Sequence, residues 1–236
     1  MFKQTFWQNF WNLYAFFYDT LTLLIPYRRM LSDLADGLHL HSCRKVLDAG
    51  CGTGNFCRLS ERDNPSVEVV GIDRAGAMLR RARKKCRAAN LYAADLDAPI
   101  AFDDQSFDAV ACCNVLYSLP RPEATLGELQ RVLRPGGRLV ISNPSRNFAL
   151  SPLVLDHLRA ARTPLEWLQF VLMLPALGIV TLLNLIVVSQ GRNRQFHFLE
   201  PDELRNLLSQ AGFSVLKVAP TYAQQNYLVV AVKQDT

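Results

Sequence analysis

Val46-Leu47-Asp48-Ala49-Gly50-Cys51-Gly52-Thr53-Gly54 is the stretch that decides how this chain is read. An apolar run that closes on an acid, followed by glycine at alternate positions, is how a buried strand hands over to a tight loop. Gly50, Gly52 and Gly54 carry no Cβ, so the loop can take positive φ and turn its N–H groups toward a ligand. Asp48, at the carboxyl end of the strand, adds a fixed acceptor. The loop suits a ligand that is part anion and part hydrogen-bond donor, such as a mononucleotide-like molecule with a charged amino-acid tail.

Outward from that loop, strands and helices alternate. Strands are predicted at Lys45–Ala49, Val67–Ile72, Leu91–Ala94, Phe107–Cys113 and Arg138–Ser142. Helices are predicted at Asn55–Glu61, Ala75–Arg87 and Pro122–Leu133, the last ended by Pro135-Gly136-Gly137. That rhythm means a parallel sheet with helices on both faces. It breaks over residues 144 to 195 and resumes with a helix at Glu200–Gln210. The strands Phe213–Ala219 and Asn226–Val232 follow, separated by a short turn, and should pair antiparallel. Ahead of the first strand, residues 3 to 25 read as an aromatic helix. Phe6, Phe10, Phe17 and Leu21 recur at helical spacing, as do Trp7, Trp11, Tyr14 and Tyr18. Pro26 is expected to end that helix, and a second to cover Arg28–Leu38.

Two further acids stand at strand tips. Asp73 lies nineteen positions after Gly54, at the end of Val69-Val-Gly-Ile-Asp. An acid there can take both hydroxyls of a ribose. Asp95, in Ala93-Ala-Asp-Leu, can accept from an exocyclic amine. Phe107-Asp-Ala-Val then runs into Cys112-Cys-Asn-Val-Leu-Tyr-Ser-Leu, and Leu133-Arg-Pro-Gly-Gly follows. With these motifs in this order, the chain resembles the class I S-adenosylmethionine-dependent methyltransferases, closest to the quinone and lipid or small-molecule branch. The resemblance spans roughly residues 44 to 143 and 196 to 233. It implies an α/β, Rossmann-like, seven-stranded and mostly parallel sheet with one antiparallel strand and helices on both faces. An apolar helical lid insertion is added to it.

The same resemblance assigns roles. Gly50, Cys51, Gly52 and Gly54 pass the methionine part of the cofactor, with Asp48 near its amino group. Asp73 takes the ribose, with Arg74 and Met78 beside the adenosine. Asp95 and Leu96 bracket the adenine, and Asn114 lines the sulfonium end. Tyr18 falls where this branch often carries Tyr-Asp near the cofactor's carboxylate; helix packing is the alternative reading of it. Methyl transfer from an activated sulfonium asks the protein mainly for positioning. His197, Tyr117, His157, Tyr222 and Tyr18 are the candidates for a base, and none is singled out. No metal site is expected. A nicotinamide dinucleotide site is disfavoured, because its fingerprint wants G-x-G-x-x-G and this loop has G-x-G-x-G after an acid.

Composition bounds the acceptor. Half the residues are hydrophobic and the net charge is +5. The excess is concentrated at Arg80, Arg81, Arg83, Lys84, Lys85 and Arg87, which a solvated helix face explains and an anionic surface would also suit. The six cysteines form no CxxC pair, so reduced thiols in a cytoplasmic protein are expected. Nothing in the aromatic N-terminus reads as a signal peptide. Trp167 to Gly191 contains no charged residue. Roughly 20 apolar residues can span a bilayer, yet one crossing would strand the final two strands on the wrong side. Pro175 and Gly178 are read as a break between two short helices. The domains expected are an aromatic cap over 1–40, a core over 41–143 and 196–236, and a hydrophobic insertion over 144–195. The acceptor expected is a hydrophobic small molecule, met with peripheral membrane contact on the inner face of a membrane. The alternatives are a soluble small molecule, methylation of RNA or protein, and a non-catalytic cofactor-binding protein. Nucleic acid is not expected as a partner, and oligomeric state is left open.

Overall fold

A central sheet runs through the molecule in the order β3-β2-β1-β4-β5-β7-β6. The computed structural model describes residues 10, 11, 13–147, 149–191 and 197–234, with the backbone alone for 187–191. The strands are β1 (Lys45–Ala49), β2 (Glu68–Asp73), β3 (Asn90–Ala93), β4 (Phe107–Cys113), β5 (Leu133–Pro144), β6 (Phe213–Thr221) and β7 (Asn226–Lys233). β1 to β5 pair in parallel, and β7 alone runs antiparallel to both its neighbours, β5 and β6. This is the predicted seven-stranded arrangement with one antiparallel strand.

Because side chains alternate along a strand, each central strand feeds two cores. Val46, Ala109, Ala111, Val140 and Val230 meet the helices α2 (Ile25–Leu38), α3 (Asn55–Asp63) and α4 (Gly76–Lys85) on one face. Leu47, Val110, Leu139, Ile141 and Val229 meet α5 (Pro122–Val132) and α8 (Pro201–Gln210) on the other. Cys112 and Cys113 split between the two faces, as their adjacency requires.

The N-terminal segment is helical at residues 10, 11 and 13–18, and is labelled α1; it continues as a 3₁₀ turn at Asp19–Leu23. Phe6 and Trp7 of the predicted aromatic helix lie outside the described residues. Pro26 opens α2 instead of ending the preceding helix. A proline in the first helical turn lacks only an N–H that would have had no partner there. α4 stops at Lys85, two residues short of the expected Arg87, because the Glu61 carboxylate takes the N–H groups of Arg87, Ala88 and Ala89 in place of a further helical turn.

The insertion carries α6 (Leu150–Ala160) and α7 (Pro164–Gly191). α7 begins on a capping box. The Thr163 Oγ1 accepts from the Glu166 N–H, and the Glu166 carboxylate accepts from the N–H groups of Arg162 and Thr163. The expected break at Pro175 and Gly178 is absent, and one helix of 28 residues runs through both. One interior proline removes a single backbone hydrogen bond. Phe170, Met173, Leu177 and Val180, on both sides of it, bury a common seam that offsets the loss. The other face is bare: Leu172 is 70% exposed, Leu182 64% and Leu185 59%. Pro164–Ile186 is long and apolar enough to cross a bilayer. Yet β6 and β7, which follow it, lie in the same sheet as the strands before it.

Candidate functional site

The carboxyl ends of β1, β2, β3 and β4 converge on a cavity. It is lined by Gly50 and Gly52 after β1, by Asp73, Arg74 and Met78 at and after β2, and by Asp95 and Leu96 after β3. Cys113, Asn114 and Ser118 complete it at and after β4, and Trp11 and Tyr18 of α1 close it from above. The switch in strand order between β1 and β4 makes this crevice the expected ligand position in an open α/β sheet.

The glycine loop works differently from its sequence reading. Its N–H groups were expected to face a ligand, but the turn satisfies them itself. Gly50 and Cys51 donate to the Ile72 carbonyl at 2.8 and 2.9 Å, and Gly54 donates to the Cys51 carbonyl at 2.9 Å. Gly52 donates to the Asp73 carboxylate at 2.8 Å. What the loop contributes is room. Gly50 has φ of 80°, and a Cβ there would sit 2.3 Å from Val115. At Gly52 a Cβ would meet nothing nearer than Met78 at 4.0 Å, so it would fill cavity space that a ligand needs.

Asp73 accepts from Gly52 through one oxygen and from Ala75 through the other, at 2.8 and 2.7 Å. Both contacts fix the carboxylate at the cavity wall, and each oxygen keeps a lone pair for a hydroxyl. Burial pushes its pKa up, against the pull of those two N–H groups and of Arg74. Asp95, exposed, accepts from the Asp97 N–H at 3.0 Å, and Arg74 pairs with Asp97 at 3.7 Å.

Asp48, Cys51 and Gly54 do not line the cavity. Strand alternation turns Asp48 to the same face as Val46, where it is 1% exposed and accepts from Cys57 Sγ at 3.2 Å. Burial raises its pKa from 3.8 to about 7. The Cys51 side chain is buried, and Gly54 caps α3 with φ of 76°.

A second cavity adjoins the first and shares Trp11, Tyr18 and Asn114 with it. Its walls are aromatic: Tyr14, Tyr117, Phe198 and Tyr222 join the shared pair. Ring pairs run from Tyr14 to Tyr18 to Tyr27 to Tyr222, with centroids 5.5 to 6.2 Å apart. Its floor is Asn226, whose amide donates to Asn114 Oδ1 at 2.6 Å and to Ser142 Oγ at 2.7 Å. Asn114 takes the left-handed backbone, φ 56°, that aims its side chain there.

The base candidates fare unevenly. Tyr18, Tyr117 and Tyr222 line the second cavity. Burial holds all three well above the ordinary tyrosine range, so they stay protonated at neutral pH. The His197 side chain lines neither cavity, and its backbone N–H donates to the Tyr117 carbonyl at 2.6 Å. His157 lies elsewhere: it is buried on α6, stacks on Phe170 and accepts from the Ile25 N–H.

One group escaped the sequence reading. Asp19, next to Tyr18, accepts from Lys85 Nζ and from Thr53 Oγ1, both at 2.6 Å, and Lys85 also reaches Asn55. This ties the N-terminal segment to the glycine loop. Lys85 reads as one more charge on a basic helix face, and only tertiary packing turns it inward.

Comparison with known proteins fits this geometry. The methyltransferase-domain family matches residues 40–212. The demethylmenaquinone methyltransferase of Thermus thermophilus is 33% identical over 217 residues, covering 84% of this chain and 88% of that protein. The enzyme of the same name from Staphylococcus saprophyticus is 28% identical, covering 85% and 84%. Among solved structures, an S-adenosylmethionine-dependent methyltransferase from Aquifex aeolicus superposes with a TM-score of 0.58 at 18% identity, over 91% of this chain and 92% of that one. One from Mesorhizobium loti gives 0.59 at 21%, over 86% and 96%. An acid-tipped second strand, a glycine loop cleared of side chains and a match across most of the chain place this protein in the class I S-adenosylmethionine-dependent methyltransferases.

Proposed function

We propose that the enzyme methylates a hydrophobic, ring-bearing small molecule of the quinone type, taken from a membrane surface. The observation that carries this is the second cavity: an aromatic chamber joined to the cofactor cavity through Trp11, Tyr18 and Asn114. Flat rings stack on such walls. The curated relatives are named for acting on demethylmenaquinone, which makes that quinone, in its reduced form, the first acceptor to test.

In this reading Asp73 holds the ribose hydroxyls, Asp95 and Leu96 bracket the base, and Gly50 and Gly52 leave space for the methionine arm. When bound, S-adenosylmethionine supplies an electrophilic methyl group on its sulfonium. The chain's own residues orient the acceptor and exclude water. The chamber's tyrosines are held protonated by burial, and its amides cannot act as bases. The acceptor therefore brings its own nucleophile, as an electron-rich ring carbon or an ionised ring oxygen does.

The membrane part rests on α7. Its outward face carries Leu172, Leu182 and Leu185, all exposed. Arg28 and Arg29, paired to Glu166 and Asp156, stand with Arg159 and Arg162 around its N-terminal end. An apolar face rimmed by arginine suits an anionic leaflet. Two measurements test the reading. Methyl-labelled cofactor should pass label to reduced demethylmenaquinone and to the quinone fraction of a lipid extract. The protein should float with phosphatidylglycerol vesicles, and Leu172→Glu with Leu182→Glu should abolish flotation. Label passing only to water-soluble acceptors, with no flotation, overturns it.

A further inference from the structure

We infer that Asn184 is an acceptor-specificity residue, which donates a hydrogen bond to an oxygen on the acceptor's ring. The inference rests on the reading of the second cavity as the acceptor chamber, and it names what that chamber selects.

α7 buries one side along Phe170, Met173, Leu177, Val180 and Leu183, and Asn184, half-buried, stands at the edge of that side. An asparagine there carries a polar side chain into the packed side of an otherwise apolar helix, where it must find partners. It finds one. Tyr14 Oη donates to Asn184 Oδ1 at 2.9 Å, across 170 positions of sequence. Both residues line the second cavity. With the carbonyl oxygen accepting from Tyr14, and no acceptor for the amide N–H groups among the described residues, those N–H groups are what Asn184 offers the chamber.

The floor of the chamber is built differently. The amide of Asn226 is committed to Asn114 and Ser142, so it is tied into the protein. Tyr14 and Asn184, on α1 and α7, thus present an oriented donor, and the aromatic walls set the plane in which a ring would lie. A ring with a hydroxyl, carbonyl or oxyanion at its edge can accept from that amide. A bare hydrocarbon would leave it unpaired in an apolar enclosure. A donor at that oxygen also favours its ionised form, which makes the ring more nucleophilic.

Packing alone predicts another outcome for the same residues. Replacing both partners by apolar groups of similar shape is close to neutral for stability. The double variant Tyr14→Phe with Asn184→Leu should therefore fold and bind cofactor as the wild type does, which titration calorimetry reads directly. Steady-state kinetics on the full chain in detergent micelles then separates the cases, with a prenylated 1,4-naphthoquinol and its mono-deoxy analogue as probes. The expected result for Asn184→Leu is a KM for the quinol raised about five- to tenfold with kcat less affected. Its preference for the quinol over the deoxy analogue should fall by the same factor. Asn184→Gln, which keeps the amide, should restore part of that preference. Unchanged preference in a variant that binds cofactor normally overturns the inference and leaves the acceptor class standing. Failure of the wild type to methylate any prenylated quinol overturns the reading beneath it, and the inference with it. Should Asn184→Leu misfold, the double variant carries the same comparison.

Discussion

The two adjoining cavities share Trp11, Tyr18 and Asn114 and are otherwise built in opposite ways. The first cavity, where we propose the cofactor binds, is made from the ends of consecutive parallel strands. Its key groups sit a fixed step beyond each strand, and backbone hydrogen bonds hold them. The aromatic chamber is made mostly from side chains of α1, α7, the turn after β4, the segment before α8 and the turn between β6 and β7, over a floor at the ends of β5 and β7. A site of the first kind is rigid and intolerant of change. One of the second kind can be retuned one side chain at a time. The difference is testable in order of expected effect.

The largest effect belongs to the glycine loop. Gly50→Ala places a Cβ 2.3 Å from Val115 in a backbone with φ of 80°. The loop must shift, so cofactor affinity should fall by at least about 100-fold, with a lowered Tm. Gly127→Ala is the control. It lies inside α5 with nothing within 4 Å, and should stabilise by about 0.5–1 kcal/mol while leaving cofactor affinity untouched. If Gly50→Ala binds cofactor normally by calorimetry, the picture of a rigid loop fails. Asp73→Asn comes next. An amide offers one acceptor oxygen where the native carboxylate serves two N–H groups, and its NH₂ would face the other. A rise in cofactor Kd of about 10–100-fold is expected.

That ordering also explains what could be read ahead of the structure. β1 and β4 match their sequence reading residue for residue, Lys45–Ala49 and Phe107–Cys113, because both are central strands announced by apolar runs between turn residues. The places of Gly52, Asp73, Asp95 and Asn114 at the first cavity were legible for the same reason: each ends or follows a strand at a distance the chain itself sets. The chamber is another matter. Tyr14 and Asn184 meet across 170 positions of sequence, and no local pattern announces that pairing. Asp48 shows the limit even within a motif. Its position beside the glycine loop is legible, but its side-chain direction follows from strand alternation, which turns it to α3 and away from the cavity. Pro175 misleads for an energetic reason, since a buried seam outweighs one lost hydrogen bond.

A smaller effect probes the link between the N-terminal segment and the loop. Asp19→Ala removes the carboxylate that Lys85 and Thr53 share. Burial already lowers the Lys85 pKa, with Asp19 opposing it, so the ammonium is left less compensated. Cofactor affinity should weaken about fivefold, and Lys85→Met in the same chain should recover part of the stability lost. Additive losses in a double-mutant cycle on Tm would show that the two residues do not act together.

The smallest expected effect on binding sharpens the contrast between Asp48 and Asp73. Asp48 is buried with its pKa raised from 3.8 to about 7, chiefly by burial. The folded state therefore holds the proton more tightly than the unfolded chain does. The stability this provides is fully present below about pH 3.8 and is lost as pH rises through about 7. Asp48→Asn keeps the shape and an acceptor for Cys57 and removes the ionisation. Between about pH 4 and 7 its stability should fall less with rising pH than the wild type's, and above pH 7 it should be the more stable of the two by urea unfolding. Its cofactor affinity should stay within about threefold of wild type, because the carboxylate faces α3 and does not line the cavity. A loss as large as that of Asp73→Asn would mean that Asp48 reaches the cofactor through the loop, and that the buried acid belongs to the binding site after all.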